Sequence, residues 1–220
     1  MSLVLGIETS QALCSAALAR DGAIVAEDTR PLQRLHNEVV LECVDGVMRD
    51  VAPADLDAVG FGCGPGSFTG IRIAASVAQA IAYAADARIV PVSSSLLLAH
   101  CARKRAVEGA LLTCIPSRRD CYYVAVYEGG GIEPTLPDVL WEGAEAWSAL
   151  NELPRELTLV GHCPDWAIGQ LPFEAEVAST GADVGVLATE LLTSGGGLEP
   201  EAGVPVYVMG DSPWRPAAGG

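Results

Sequence analysis

Lysine, histidine and paired metal ligands are scarce in this chain, and each scarcity closes off a class of function. Lys104 is the sole lysine, so no glycine-rich segment is followed by the Lys-Ser or Lys-Thr that a P-loop needs to reach nucleotide phosphates. The three histidines, His36, His100 and His162, are far apart, and none makes the i, i+4 pair that holds zinc on one helix face. Seven cysteines are present, but none is arranged C-x-x-C and the number is odd. They read as small core residues of a reducing compartment, the cytoplasm, rather than as disulfides or a metal site. No G-x-S-x-G nucleophile elbow occurs. Nor is there a charge-free apolar run of about 18 residues. The most apolar stretch, Ile71 to Ala85, is interrupted by Arg72 and Gln79. The N-terminus runs straight into a strand pattern with no basic segment before an apolar one, so neither a signal peptide nor a membrane span is expected.

What is present is apolar and acidic. Half of the 220 residues are hydrophobic, mean hydropathy is +0.32, and only 19% are charged, which is too apolar for disorder and enough to build a core. The formal net charge is −15, of which residues 1–104 carry −3 and residues 105–220 carry −12. Such a chain is repelled by phosphate backbones, so unaided nucleic-acid binding is disfavoured.

The hydrophobic pattern predicts strands at Leu3 to Glu8, Leu13 to Arg20 and Ala23 to Thr29, with Asp21-Gly22 as a hairpin turn. After Pro31 the period changes to four: Leu35, Val39, Cys43 and Val47, with Val40 beside them, predict an amphipathic helix. A strand at Ala58 to Gly62 leads into a glycine-rich loop. Ser67 is placed to cap a helix running to about Tyr83. A strand at Ile89 to Val92 and a helix at Ser94 to Lys104 follow. Residues 105–109 break the pattern, dividing the chain into lobes 1–104 and 105–220. Strands are expected at Leu111 to Ile115, Tyr122 to Tyr127, Leu157 to Val160 and Val204 to Val208, a helix at Val184 to Leu192, and a loose tail after Gly210. No internal repeat is evident. The order implies mixed sheets with helices on them, an α/β fold.

Three segments have the composition for chemistry or contact. Glu8-Thr9-Ser10, at the turn between the first two strands, has an acid and two hydroxyls suited to a hydrated metal and a phosphate, and equally suited to an ordinary polar turn. Gly62 to Gly70 joins a strand, a glycine loop and a helix N-terminus, where free N–H groups favour anions. Its G-x-G-x-x-x-G spacing does not match the dinucleotide fingerprint. In the helix that follows, Gly70, Ala74, Ala78 and Ala82 place four small side chains on one face, with Ile71 elsewhere around it. That face admits a close neighbour, either this chain's own sheet or another subunit.

The string Gly64-Pro65-Gly66-Ser67-Phe68-Thr69-Gly70-Ile71-Arg72-Ile73, preceded by Leu5-Gly6-Ile7-Glu8-Thr9-Ser10, resembles the bacterial TsaB (YeaZ) family. His36 before a helix and Val90-Pro91-Val92-Ser93-Ser94 extend the resemblance over roughly the first hundred residues. It implies an actin/Hsp70-like (ASKHA, RNase H-like) fold in two lobes. It also implies a non-catalytic scaffold that pairs with the metal-containing catalytic paralogue TsaD and works with the ATPase TsaE. The reaction is threonylcarbamoyl transfer to the adenosine beside the tRNA anticodon. The first two helices then become the dimer contact, through Leu35, Val39, Val40, Cys43 and Val47 on one and Gly70, Ile71, Ala74, Ala78 and Ala82 on the other. The resemblance further implies a homodimer in isolation, tRNA contact only through the complex, no metal or cofactor of its own, and ATP or ADP, if any, at the heterodimer interface. The later strings depart from the family: Pro116-Ser117-Arg118 stands where Asp-Ala-Arg is usual, and Tyr207-Val208-Met209 where Tyr-Leu-Arg is usual.

Two competing functions remain at this stage. An ASKHA-type ATPase or carboxylate kinase would use Glu8, Thr9 and Ser10. A metallopeptidase would need a histidine pair, but His36 has Val40 four residues on.

Overall fold

The computed structural model describes residues 1–11, 13–31, 36–143, 148–149, 153, 156–174 and 177–208. Leu35 and the tail after Gly210 lie outside the described residues.

Two five-stranded mixed sheets share one topology. The first contains β1 (Leu3–Glu8), β2 (Leu13–Arg20), β3 (Ala23–Pro31), β4 (Ala58–Gly64) and β5 (Arg88–Ser93), in the order β3-β2-β1-β4-β5. The three N-terminal strands form an antiparallel meander, and β4 and β5 add parallel to it. The second contains β6 (Ala110–Pro116), β7 (Cys121–Tyr127), β8 (Leu136–Glu142), β9 (Leu157–Gly161) and β10 (Phe173–Glu174). Its order, β10-β9-β6-β7-β8, is the same arrangement with the same strand directions. The sequence carries no visible trace of this repeat, because each position asks only for an apolar or a polar residue and many residues satisfy either. Two such sheets with helices form an α/β fold, the arrangement that the ASKHA resemblance implies.

β1 is buried at every residue, which explains why it reads as a continuous apolar run rather than an alternating one. Leu3, Leu5 and Ile7 face a core shared with α1 (His36–Met48) and α2 (Phe68–Ala85). Val4 faces the opposite way, into a core built with α3 (Ser94–Lys104) and α4 (Gly181–Thr193). That second core also takes Leu111, Ile115, Tyr123 and Tyr127 from the second sheet, so α3 and α4 join the lobes. The turn between β2 and β3 has Asp21 and Gly22 at φ 49° and 79°, as a type I′ hairpin requires. Ser67 caps α2 by accepting from the Gly70 N–H, and Ser93 caps α3.

Several expectations are corrected. α4 belongs to the expected 105–220 lobe but packs across β1, β2 and β4 of the first sheet. It can lie so close because Gly6 of β1 faces Gly181 and Gly185, and any Cβ at Gly6 would collide with their backbone. The helix begins three residues earlier than the apolar pattern suggests, where Thr180 and Asp183 form a capping box. Val204 to Val208 is not a strand. It is an extended segment held to the first sheet by a Val206 N–H bond to the Cys63 carbonyl. β8 was not expected, since Pro137 and Asp138 obscure it. As an edge strand it tolerates both.

Candidate functional site

The Glu8-Thr9-Ser10 turn and the glycine loop meet in space and close on each other. Thr9 Oγ1 donates to the Gly70 carbonyl at 2.8 Å, the Ser67 N–H donates to the Ser10 carbonyl at 3.1 Å, and the Gly70 N–H donates to Ser67 Oγ at 3.2 Å. Ser10 Oγ lies 3.3 Å from Ser94 Oγ. Groups that a phosphate would need are thereby committed to the chain itself. Gly70 is held against the Thr9 carbonyl so tightly that no larger residue fits.

Glu8 is fully buried. One carboxyl oxygen accepts the Ser10 N–H at 2.5 Å, and the other has no partner. Burial pushes its pKa above the ordinary carboxylate range, with the bonds from Ser10 and Thr9 opposing. Among the described residues no group of three or more His, Cys, Asp or Glu is placed to hold a metal ion. All seven cysteines are free thiols, six of them buried, and burial pushes Cys63 up to about 12.

Most of the described residues expected at a dimer contact fall on the inward side of their helices. Val40, Cys43 and Val47 of α1 are buried in the first core, as are Ala74, Ala78 and Ala82 of α2. Gly70 and Ile71 are buried as well, and Val39 is half-buried against the same core. The small-residue row therefore lets α2 approach its own sheet, and these side chains cannot touch a second subunit. The opposite face of α2 lies two positions on, about 200° around the helix. There Phe68, Arg72, Ser76, Ala80 and Tyr83 are exposed. Along the N-terminal half of α2 a groove of about 370 Å³ is lined by Phe68, Thr69, Arg72, Ile73, Ser76 and Val77. Half-buried Val44, Met48, Ile73, Val77 and Ile81 continue the apolar surface, and Leu41 of α1 is 56% exposed.

One constellation had no sequence signal. The Arg72 guanidinium lies 3.5 Å over the Phe68 ring and its Nε donates to Tyr207 Oη at 2.8 Å, across 135 residues of chain. Gln79 and Tyr83 hydrogen-bond to Pro200 and Glu201 of the same C-terminal segment. The segment thus runs along α2 and leaves Val204, Val206 and Tyr207 about half exposed beside Phe68.

Residues 18–147 match the family model described as TsaD: tRNA N6-adenosine threonylcarbamoyltransferase. The chain is 31% identical over 163 residues to the tRNA threonylcarbamoyladenosine biosynthesis protein TsaB of Bacillus subtilis (strain 168), covering 72% of this chain and 70% of that one. It is 27% identical over 234 residues to the protein of the same name from Escherichia coli (strain K12), covering 98% of each. In structure it is similar to YeaZ from Pseudomonas aeruginosa, with a TM-score of 0.76 and 28% identity, covering 94% of this chain and all of that one.

Proposed function

Because the chain belongs to the TsaB (YeaZ) family, whose members are named for tRNA threonylcarbamoyladenosine biosynthesis, we propose that within that pathway it acts as a non-catalytic scaffold pairing with the catalytic paralogue TsaD. The observation that carries this reading is the outward face of α2. It is apolar, grooved and continuous with the segment at 204–207, on a chain whose polar loop is closed on itself. Exposed apolar surface of this kind marks an interaction site. The match to the TsaD model supports a partner of the same fold, which can present an equivalent helix pair and form a pseudo-symmetric contact. The same face accounts for a homodimer when the paralogue is absent.

The acidic chain meets tRNA only through the complex. TsaE supplies ATP hydrolysis, any ATP or ADP sits between the two partners, and the complex works in the cytoplasm. Light scattering on a sizing column tests the pairing. The chain alone should run as a dimer and convert to a one-to-one heterodimer on mixing with TsaD from the same organism. A strict monomer that ignores TsaD would remove the scaffold reading.

A further inference from the structure

A cavity of about 460 Å³ opens between the two sheets. It lies at the carboxyl ends of the parallel pair β1 and β4 and of the equivalent pair β6 and β9. Ser10 follows β1, Ser67 follows β4, Pro116 ends β6 and His162 follows β9. In α/β sheets ligands collect outside the strand ends where the strand order reverses, and both sheets have that point here. The volume falls within the range of small-molecule sites, about 300–1,000 Å³.

The lining decides the class of ligand. Among the described residues none that lines it is Lys, Arg, Asp or Glu. A phosphate or carboxylate would lose its hydration with no lysine or arginine among the described lining to replace it. The polar side chains are those of Ser10, Gln11, Ser67, Cys114 and His162, and the apolar lining includes Leu98, Ile115 and Val177. At one end the His162 ring is held in place from behind. It stacks on Tyr122 with centroids 5.5 Å apart and planes 17° apart, and Trp166 meets Tyr122 edge-on at 6.1 Å. A ring braced in this way is a ready stacking surface.

We propose that this cleft binds an uncharged aromatic small molecule with a hydroxyl or amide edge, stacked on His162. The site is separate from the helix face assigned to the partner, so its test does not depend on pairing. Calorimetric and ligand-observed NMR titrations of the full chain with adenosine and with AMP, which differ only in the phosphate, read it directly. Adenosine should bind and AMP should bind more weakly. His162→Ala should weaken adenosine by about tenfold, the scale of one lost stacking contact, and His162→Phe should restore it. The ring is exposed, so thermal unfolding of both variants checks that folding is intact. No adenosine binding, tighter binding of AMP, or an unchanged affinity in a folded His162→Ala would each overturn the proposal.

Discussion

Ala78→Leu and Ser76→Arg, two positions apart on α2, should fail in opposite ways. Ala78 is 0% exposed and packed among Ala74, Ala82 and the first sheet. Leucine adds three heavy atoms where the helix already sits at closest approach, and overpacking of this kind costs about 1–3 kcal/mol. In a chain of this size each kcal/mol lowers the melting temperature by about 2–4 °C. Urea unfolding should show a lower midpoint with an unchanged slope. Ser76 faces outward in the groove beside Ile73 and Val77, where a surface substitution changes stability by no more than about 0.5 kcal/mol. An arginine there must be buried unpaired when the groove is covered, and should weaken association by at least about 1.4 kcal/mol, tenfold in Kd. Urea melts and light scattering with TsaD, run on both variants, separate the two effects. If Ala78→Leu keeps its midpoint and loses association while Ser76→Arg associates normally, the small-residue row faces the partner and the assignment of helix faces is wrong.

Two further perturbations read buried charges through pH. Glu8 has a folded pKa raised by burial, so the folded state binds the extra proton. Its contribution is fully present below about 4.5 and is lost as pH rises through the folded value. Glu8→Gln should therefore gain stability relative to wild type as pH rises above that point, and a difference in urea midpoints that does not change with pH would refute the assignment. Asp183 behaves in the reverse sense. Burial alone would raise it, but Lys104 Nζ at 2.6 Å and the Thr180 N–H at 2.9 Å outweigh that and hold it below the ordinary range. Its stabilisation is present above the unfolded pKa and is lost as pH falls through the folded one. Asp183→Asn should cost about 0.5–2 kcal/mol near neutral pH, as a lost cap does, and the loss should shrink in acid.

Local physical signals were legible residue by residue. The apolar run of β1 up to Ile7, the Asp21-Gly22 turn, the period-four spacing in α1 and the Ser67 cap each depend on neighbours within a few positions, and each appears as expected. The motif joining Glu8-Thr9-Ser10 to the glycine loop was legible too, but its use was not. Whether the hydroxyls face a ligand or bond to the Gly70 carbonyl depends on contacts 61 residues apart.

From the amino-acid order alone came the family, the mixed-sheet class and the presence of a small-residue helix face, because motif strings and periodicity are properties of a linear chain. Tertiary structure alone decided which way that face points, that α4 returns to the first sheet, and that the two sheets repeat one topology. It also decided that Tyr207 reaches Arg72 beside the outward groove. A helical pattern specifies that a surface will be covered, and only packing in three dimensions specifies by what.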